Sequence, residues 1–289
     1  MKPIFFLPFV VFVLTCPAAA NAFDCTKASS PIDKLICATP ELRTADETMS
    51  AAYFKLLRET SDVEFRDGLI KSQRRWLKVR SSGPDRFGHA NDDKTDDREI
   101  LLKMTRDRLA FLQTAEPIHV MERERKITSQ DSGGTFAGFR TFCVLQPPPY
   151  GRWTYECWGD TIRQHNDRIC SSVKEWASGH MTEHRIVSVL KNYQPETLAT
   201  CSTGDATTRE QCPVASDDVG SKLDMHWNKA PNPSEYAPTS HVTNLWKFDP
   251  DIGDPDEADR SWMHDCLFSS PYPPSDASRP GSKSDASGR

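Results

Sequence analysis

The chain has 289 residues, with 36 Lys and Arg against 41 Asp and Glu, a net charge of −5 at neutral pH, and nine cysteines. Such a balance provides no basic face of the kind nucleic acid requires, so nucleic acid is excluded as a partner. Residues 23–116 hold 17 basic and 17 acidic side chains, which places the acidity in the second half, where it permits a cationic protein partner.

The first 22 residues open with Lys2, run apolar from Ile4 to Leu14 and end in Ala20-Asn21-Ala22. This is the small-x-small pattern of a cleaved signal peptide, and the apolar run is too short to span a bilayer. No later stretch is long and apolar enough for a transmembrane helix. The expectation is a periplasmic or secreted protein that starts at Phe23. Cysteine parity agrees. Cys16 leaves with the leader, and an even set remains: Cys25, Cys37, Cys143, Cys157, Cys170, Cys201, Cys212 and Cys266. In an exported chain this reads as disulfides. Cys25 and Cys37 stand more than a hundred residues from the others, which pairs them with each other. The remaining six close three bridges in the second half, in an order the sequence leaves open. With no CxxC pair, zinc is a poor use for them.

Between the first two cysteines, Ser29-Ser30-Pro31 supplies a helix cap and a first-turn proline. Pro40-Glu41-Leu42 restarts the chain, and Thr44 or Asp46 can cap the next helix. Met49, Tyr53, Leu56 and Leu57 form one apolar stripe at helical spacing. A second stripe runs Val63, Phe65, Leu69, Ile70, Gln73, Trp76 and Leu77, with Trp76 in the core, Arg74, Arg75 and Arg80 on the solvated face, and Ser81-Ser82-Gly83-Pro84 as its stop. Residues 85–97 carry five aspartates and read as an exposed loop. A last helix buries Ile100, Leu101, Met104, Leu109 and Phe111. Residues 23–116 therefore form a small all-α domain stapled by a disulfide.

Phe23-Asp24-Cys25, Lys27-Ala28, Ile36-Cys37, Pro40-Glu41-Leu42, Asp46, Tyr53 and Gln73-Arg74-Arg75-Trp76-Leu77 with Arg80 resemble the LprI-type lysozyme-inhibitor N-terminal domain family. The resemblance covers about 90 residues and implies a small helical envelope domain that binds a lysozyme-type glycosidase. Many members carry a second cysteine pair around the loop after the Trp helix. This sequence has none there, so the 80–97 loop is left unstapled.

Residues 117–132, centred on Glu122-Arg123-Glu124-Arg125-Lys126, are expected to be a charged linker or the end of the last helix. From Gly133 the composition turns to Gly, Pro, Cys and aromatic residues. Residues 136–145, 152–158, 185–190 and 198–202 read as strands, and 162–178 (Ile162, Ile169, Val173, Trp176) as helical. The second unit, 133–270, is expected to be β-rich and disulfide-bonded, which makes the whole chain α+β. The tail, 271–289, is rich in Pro, Ser and Asp and is expected to be disordered.

His180-Met181-Thr182-Glu183-His184 matches H-x-x-E-H, which on a helix places two histidines on one Zn²⁺ with a glutamate to activate water. The flanking residues favour a strand, and a surface turn with two solvated histidines is the plainer reading. Asp249-Pro250-Asp251 through Glu257 has the oxygen density of a calcium loop without its order, and reads as an acidic surface loop facing a basic partner. No nucleophile constellation or phosphate loop is present. The leading expectation is a binding protein, not an enzyme, with no cofactor, that occludes a lysozyme-type cleft. A non-inhibitory cell-wall module is the alternative, and a zinc hydrolase through His180, Glu183 and His184 comes last. The residues singled out are the eight cysteines and the motif residues Phe23, Asp24, Lys27, Pro40, Leu42, Tyr53, Gln73, Arg74, Trp76, Leu77 and Arg80.

Overall fold

The computed structural model describes residues 24–86, 96–131, 133–146, 154–177, 180–203, 212, 227–231, 242–252 and 257–273. The expected signal peptide, Phe23, most of the 85–97 loop and the tail beyond residue 273 lie outside the described residues. Among the described residues five α-helices precede a five-stranded antiparallel sheet, and a sixth helix follows it, so the fold is α+β.

Asp24 opens the chain by accepting the backbone N–H of Thr26, which caps a 3-10 turn over Cys25–Lys27. Helix α1 (Pro31–Ala38) starts as expected. Ser30 accepts the Asp33 N–H, and Asp33 returns the bond to the Ser30 N–H, a capping box with proline in the first turn. The Cys25–Cys37 disulfide holds these two pieces at a Cα separation of 5.7 Å. Helix α2 (Pro40–Glu59) starts at Pro40 with Thr39 in the capping position. The expected caps, Thr44 and Asp46, are thus inside the helix. Thr44 bonds back to the Pro40 carbonyl, and Asp46 is buried. Helix α3 (Val63–Arg86) begins where Asp62 accepts the N–H groups of Glu64 and Phe65. It continues past the stop expected at Ser81–Pro84. The Ser81 and Ser82 hydroxyls donate to the Leu77 and Lys78 carbonyls, bonds a helix accommodates. Helix α4 (Asp97–Gln113) is capped by Asp96.

Residues 117–132, expected as a linker or helix end, instead belong almost wholly to helix α5 (Glu116–Asp131). Ala115, at φ 55°, turns the chain from α4 into it. Its charges are paired along the helix and with its neighbours. Glu116 takes Arg123, and Arg125 takes Asp62 and Glu64, while Val120 and Met121 are buried. The row of charges marks a solvated helix face and not a spacer.

The sheet is a meander of β1 (Gly138–Gln146), β2 (Thr154–His165), β3 (Arg168–Ala177), β4 (His180–Lys191) and β5 (Gln194–Thr203). The helix expected over 162–178 is the end of β2, a turn at Asn166-Asp167, and β3. Ile162 and Ile169 are seven apart, a spacing that puts them on one helical face. The left-handed Asn166 (φ 50°) breaks the run, so each lands on the same sheet face through period-two alternation. The β4–β5 turn takes positive φ at both Asn192 and Tyr193, which suits a tight antiparallel connection.

One face of the sheet carries Leu145, Tyr155, Cys170, Val187 and Cys201. It receives α3 and α5 near β1 and β2, and α6 (Glu257–Phe268) near β2 and β3. The helical core of Met49, Leu69, Trp76 and Met104 runs directly into Leu145 and Tyr155, so helices and sheet share apolar packing. Beneath α6, Trp262, Met263 and Leu267 pack with Cys170, Val187 and Ala199. Tyr272, inside the stretch expected to be disordered, also packs there, with its ring 5.7 Å from that of Trp227. Here the reading of an anchorless tail overlooked one aromatic side chain. The six distal cysteines pair as Cys143–Cys157, Cys170–Cys266 and Cys201–Cys212.

Candidate functional site

The motif Gln73-Arg74-Arg75-Trp76-Leu77 and Arg80 occupies one stretch of α3, and helical spacing sends its members in different directions. Trp76 is buried, and the Arg80 guanidinium stacks over its ring at 5.0 Å. Arg80 is itself buried and paired with Asp46 of α2, which corrects the solvated placement expected for it. A charge this deep requires its counter-charge, and Asp46 supplies it. Gln73 bridges α2 and α4, donating to Met49 Sδ (3.2 Å) and accepting from Arg108 Nε (3.1 Å). Leu77 lines the same core, and Leu42 fills a smaller one with Ile32, Ile36 and Leu101. Lys27 pairs with Asp24 at the surface, and Pro40 forms the first turn of α2.

Arg75 is not solvated either. Its guanidinium reaches the stretch expected as an acidic surface loop. Nη1 and Nη2 donate to the two Asp249 oxygens at 2.9 and 2.6 Å, and Nε and Nη2 donate to Asp251 Oδ2 at 3.0 and 2.6 Å. Asp251 also accepts from Ser72 Oγ (2.8 Å), Arg108 Nη1 (3.2 Å) and Tyr155 Oη (3.4 Å). Asp249 accepts from the Thr141 hydroxyl at 2.6 Å, and its own N–H donates to the buried Glu124. Two arginines and two aspartates thus knit α3, α4, α5, β1 and β2 to residues 249–251. Burial opposes ionisation of Asp251, but Arg108 and Arg75 outweigh it and hold its carboxyl below the usual range. Burial pushes Asp249 up, despite Arg75, and the charge of Asp251 adds to the effect. Arg75 is desolvated too, yet the two carboxylates keep it above its ordinary range.

Residues 249–251 are therefore an internal latch, which removes Asp249 and Asp251 as a face for a basic partner, while the rest of the acidic stretch, 253–256, lies outside the described residues. Close approach is built in beside it. Gly68 lies under Phe248, where an added Cβ would meet the Phe248 carbonyl oxygen at 3.1 Å and Met121 Sδ at 2.8 Å. The Lys71 ammonium sits on the Trp246 ring, and Lys247 pairs with Glu64.

What the motif leaves at the surface is Arg74. Its charge reaches Tyr53, whose hydroxyl is pushed up by burial against the opposing pull of Arg74, Arg108 and Arg66. Tyr53 packs on the exposed Phe54 with ring centroids 5.1 Å apart. Phe54 on α2 and Arg74 on α3 are thus an exposed ring and an exposed cation on two helices of the matched motif.

Residues 25–112 match the family model for lysozyme inhibitor LprI. The match takes in α1 to α4 and ends before α5 and the sheet, less than a third of the chain. LprI is a family of inhibitors, not of enzymes. Comparison with curated proteins and with solved structures finds no match.

The histidine motif falls in β4, where His180 and His184 are separated by the rise of an extended strand, roughly 13 Å. Glu183 and His184 lie on opposite faces. Glu183 takes the Ser172 hydroxyl at 2.6 Å and Arg185 at 3.1 Å, while His184 Nδ1 lies 2.7 Å from Ser202 Oγ. Cys143, Cys157 and Asp251 come within mutual reach of a single metal ion, but both sulfurs are spent in a disulfide. Among the described residues no helix is long and apolar enough to cross a membrane.

Proposed function

We propose that this chain is an exported protein that binds a lysozyme-type glycosidase and blocks its cleft by contact alone. The family match over residues 25–112 carries this reading. The exposed Arg74 is the part of the motif offered to a partner, with Phe54 exposed on the neighbouring helix α2. Glycosidase clefts are flanked by a pair of carboxylates, so an exposed arginine is complementary to them in charge. Aromatic residues and arginine are also the residue types that dominate binding energy at protein interfaces. The apolar leader of residues 1–22 fits the compartment where such an enzyme acts.

The test is hydrolysis of cell walls by lysozymes of several classes, with and without the oxidised full chain lacking residues 1–22. Dose-dependent inhibition is expected, weakened at least roughly tenfold by Arg74→Glu with Phe54→Ser, in a protein of unchanged circular dichroism. No inhibition of any class would end this reading. Inhibition untouched by the double substitution would move the contact off this patch.

A further inference from the structure

Strand β1 is an edge of the sheet, and among the described residues only one end of it is paired on its outer side. Phe139 exchanges both backbone hydrogen bonds with Trp246, each at 2.7 Å, so its N–H and C=O point away from β2. Strand alternation then sends the N–H and C=O groups of Thr141, Cys143 and Leu145 to the same outer side, while those of residues 140, 142 and 144 bond to β2. The Cys143–Cys157 Cα separation of 4.1 Å supports this phase, because directly opposed residues approach most closely when they are not hydrogen-bonded to each other. Among the described residues no backbone pairs with that outer side of Thr141, Cys143 or Leu145.

A groove of about 660 Å³ lies at this open edge, and its lining reaches from α3 across β1 and β2 to Val173 and Glu175 of β3. Its helical wall is a single stripe of α3, made of Arg75, Lys78, Val79 and Ser82 at i, i+3, i+4 and i+7. On the opposite sheet face, beside the edge, lie Phe142, Val144 and Trp158, with Phe142 51% exposed. Folded proteins ordinarily twist, shorten or charge such an edge because it templates strand addition, whereas this one is nine residues long, regular in register and carries an exposed aromatic ring.

We propose that this groove binds an extended peptide segment of a partner protein, which adds to the sheet as a strand alongside residues 141–145 and presents alternating acidic and apolar side chains. The alternation follows from the walls. A strand at this edge sends every second side chain under α3, where Lys78 is exposed and makes no ion pair among the described residues. The intervening side chains go to Phe142 and Val144. Arg75 on the helical wall is matched by Asp249 and Asp251, and Arg140 on the other sheet face by Asp160, so the positive charge of the helical wall that a ligand meets is that of Lys78. Main-chain bonds hold such a ligand, and the two rows of side chains select it. This site is separate from Phe54 and Arg74, and its occupancy does not depend on glycosidase inhibition.

The experiment titrates the full oxidised chain with a capped peptide of about eight alternating Glu and Val residues, alongside a Lys-Val counterpart. Two further Glu-Val peptides carry N-methyl groups on every second residue, in one phase or the other. The Glu-Val peptide is expected to bind and to slow amide exchange at Thr141 and Cys143. One N-methylated phase should lose at least roughly tenfold in affinity, and the other should stay within about threefold. Lys78→Glu, an exposed change, should move the preference to the Lys-Val peptide. Equal binding of both methylated phases, or no binding of either charge type, overturns the proposal. So does protection of these amides that grows with protein concentration without peptide, which would assign the edge to a second copy of the chain.

Discussion

Replacing Asp251 by alanine tests the latch where it is deepest. Its carboxylate is the counter-charge for Arg108, whose side chain is 3% exposed, and it also takes Ser72, Tyr155 and part of Arg75. In the variant Arg75 keeps Asp249, but Arg108 retains only the neutral oxygens of Ser72 and Gln73. Breaking a buried pair by removing one partner costs about 3–5 kcal/mol, because the orphaned charge stays desolvated. At about 2–4 °C per kcal/mol for a chain of this size, the melting temperature should fall by roughly 6–20 °C. The assay is urea and thermal unfolding of oxidised protein, followed by circular dichroism and tryptophan fluorescence. Asp251→Asn keeps the shape and one acceptor, so a loss of similar size would assign the effect to charge. Joining Asp251→Ala with Arg108→Met should recover part of the loss, since apolar replacement of both partners removes the stranded cation. A loss below about 1 kcal/mol, the value of a solvent-exposed pair, would refute the latch as an energetic unit.

Gly68→Ala reverses the usual sign of a helical glycine substitution. The helix gains up to about 1 kcal/mol from alanine, but the new Cβ meets the Phe248 backbone oxygen, so a net loss of about 1–3 kcal/mol is expected in urea unfolding. Cys170–Cys266 spans 96 positions and Cys201–Cys212 spans 11, so removing the former should cost about 2 kcal/mol more in the same assay. Burial pushes Asp160 up to about 6, against the pull of Arg140. A carboxyl raised on folding favours the native state below its unfolded value near 4 and loses that contribution as pH rises through about 6. Asp160→Asn should flatten this downward slope of stability between about pH 4 and 6. Asp251 acts in the opposite sense. Its contribution is complete above about pH 4 and is lost as the pH falls below that through its lowered value.

What could be read in advance was local. The Ser30–Pro31 cap, the apolar stripes of α2 to α4 and the buried Trp76 follow from helical period, and each depends on neighbours within a few turns. Arg75 and Arg80 are placed on the solvated face by the sequence because helical period assigns a charge to the outside by default. Their partners are 34 positions away in one case and more than 170 in the other, a distance periodicity does not sense. Asp249 and Asp251 stood out as acidic for the right reason and were given the wrong surroundings. The residues missed altogether, Ser72, Arg108, Thr141 and Tyr155, are ordinary members of their elements. Only their convergence on two carboxylates distinguishes them. The open side of β1 was likewise invisible in sequence, since an edge is defined by which strands fail to arrive.

The latch segment 249–251 lies inside the covalent loop closed by Cys170 and Cys266. A single backbone cut between residues 213 and 226 would leave the downstream fragment tethered to β3 through sulfur and still clasped to α3 through Arg75. Severing the helices from the C-terminal strap would take two chemically unrelated events, hydrolysis of the chain and reduction of that bridge. Either one alone leaves the molecule in one piece.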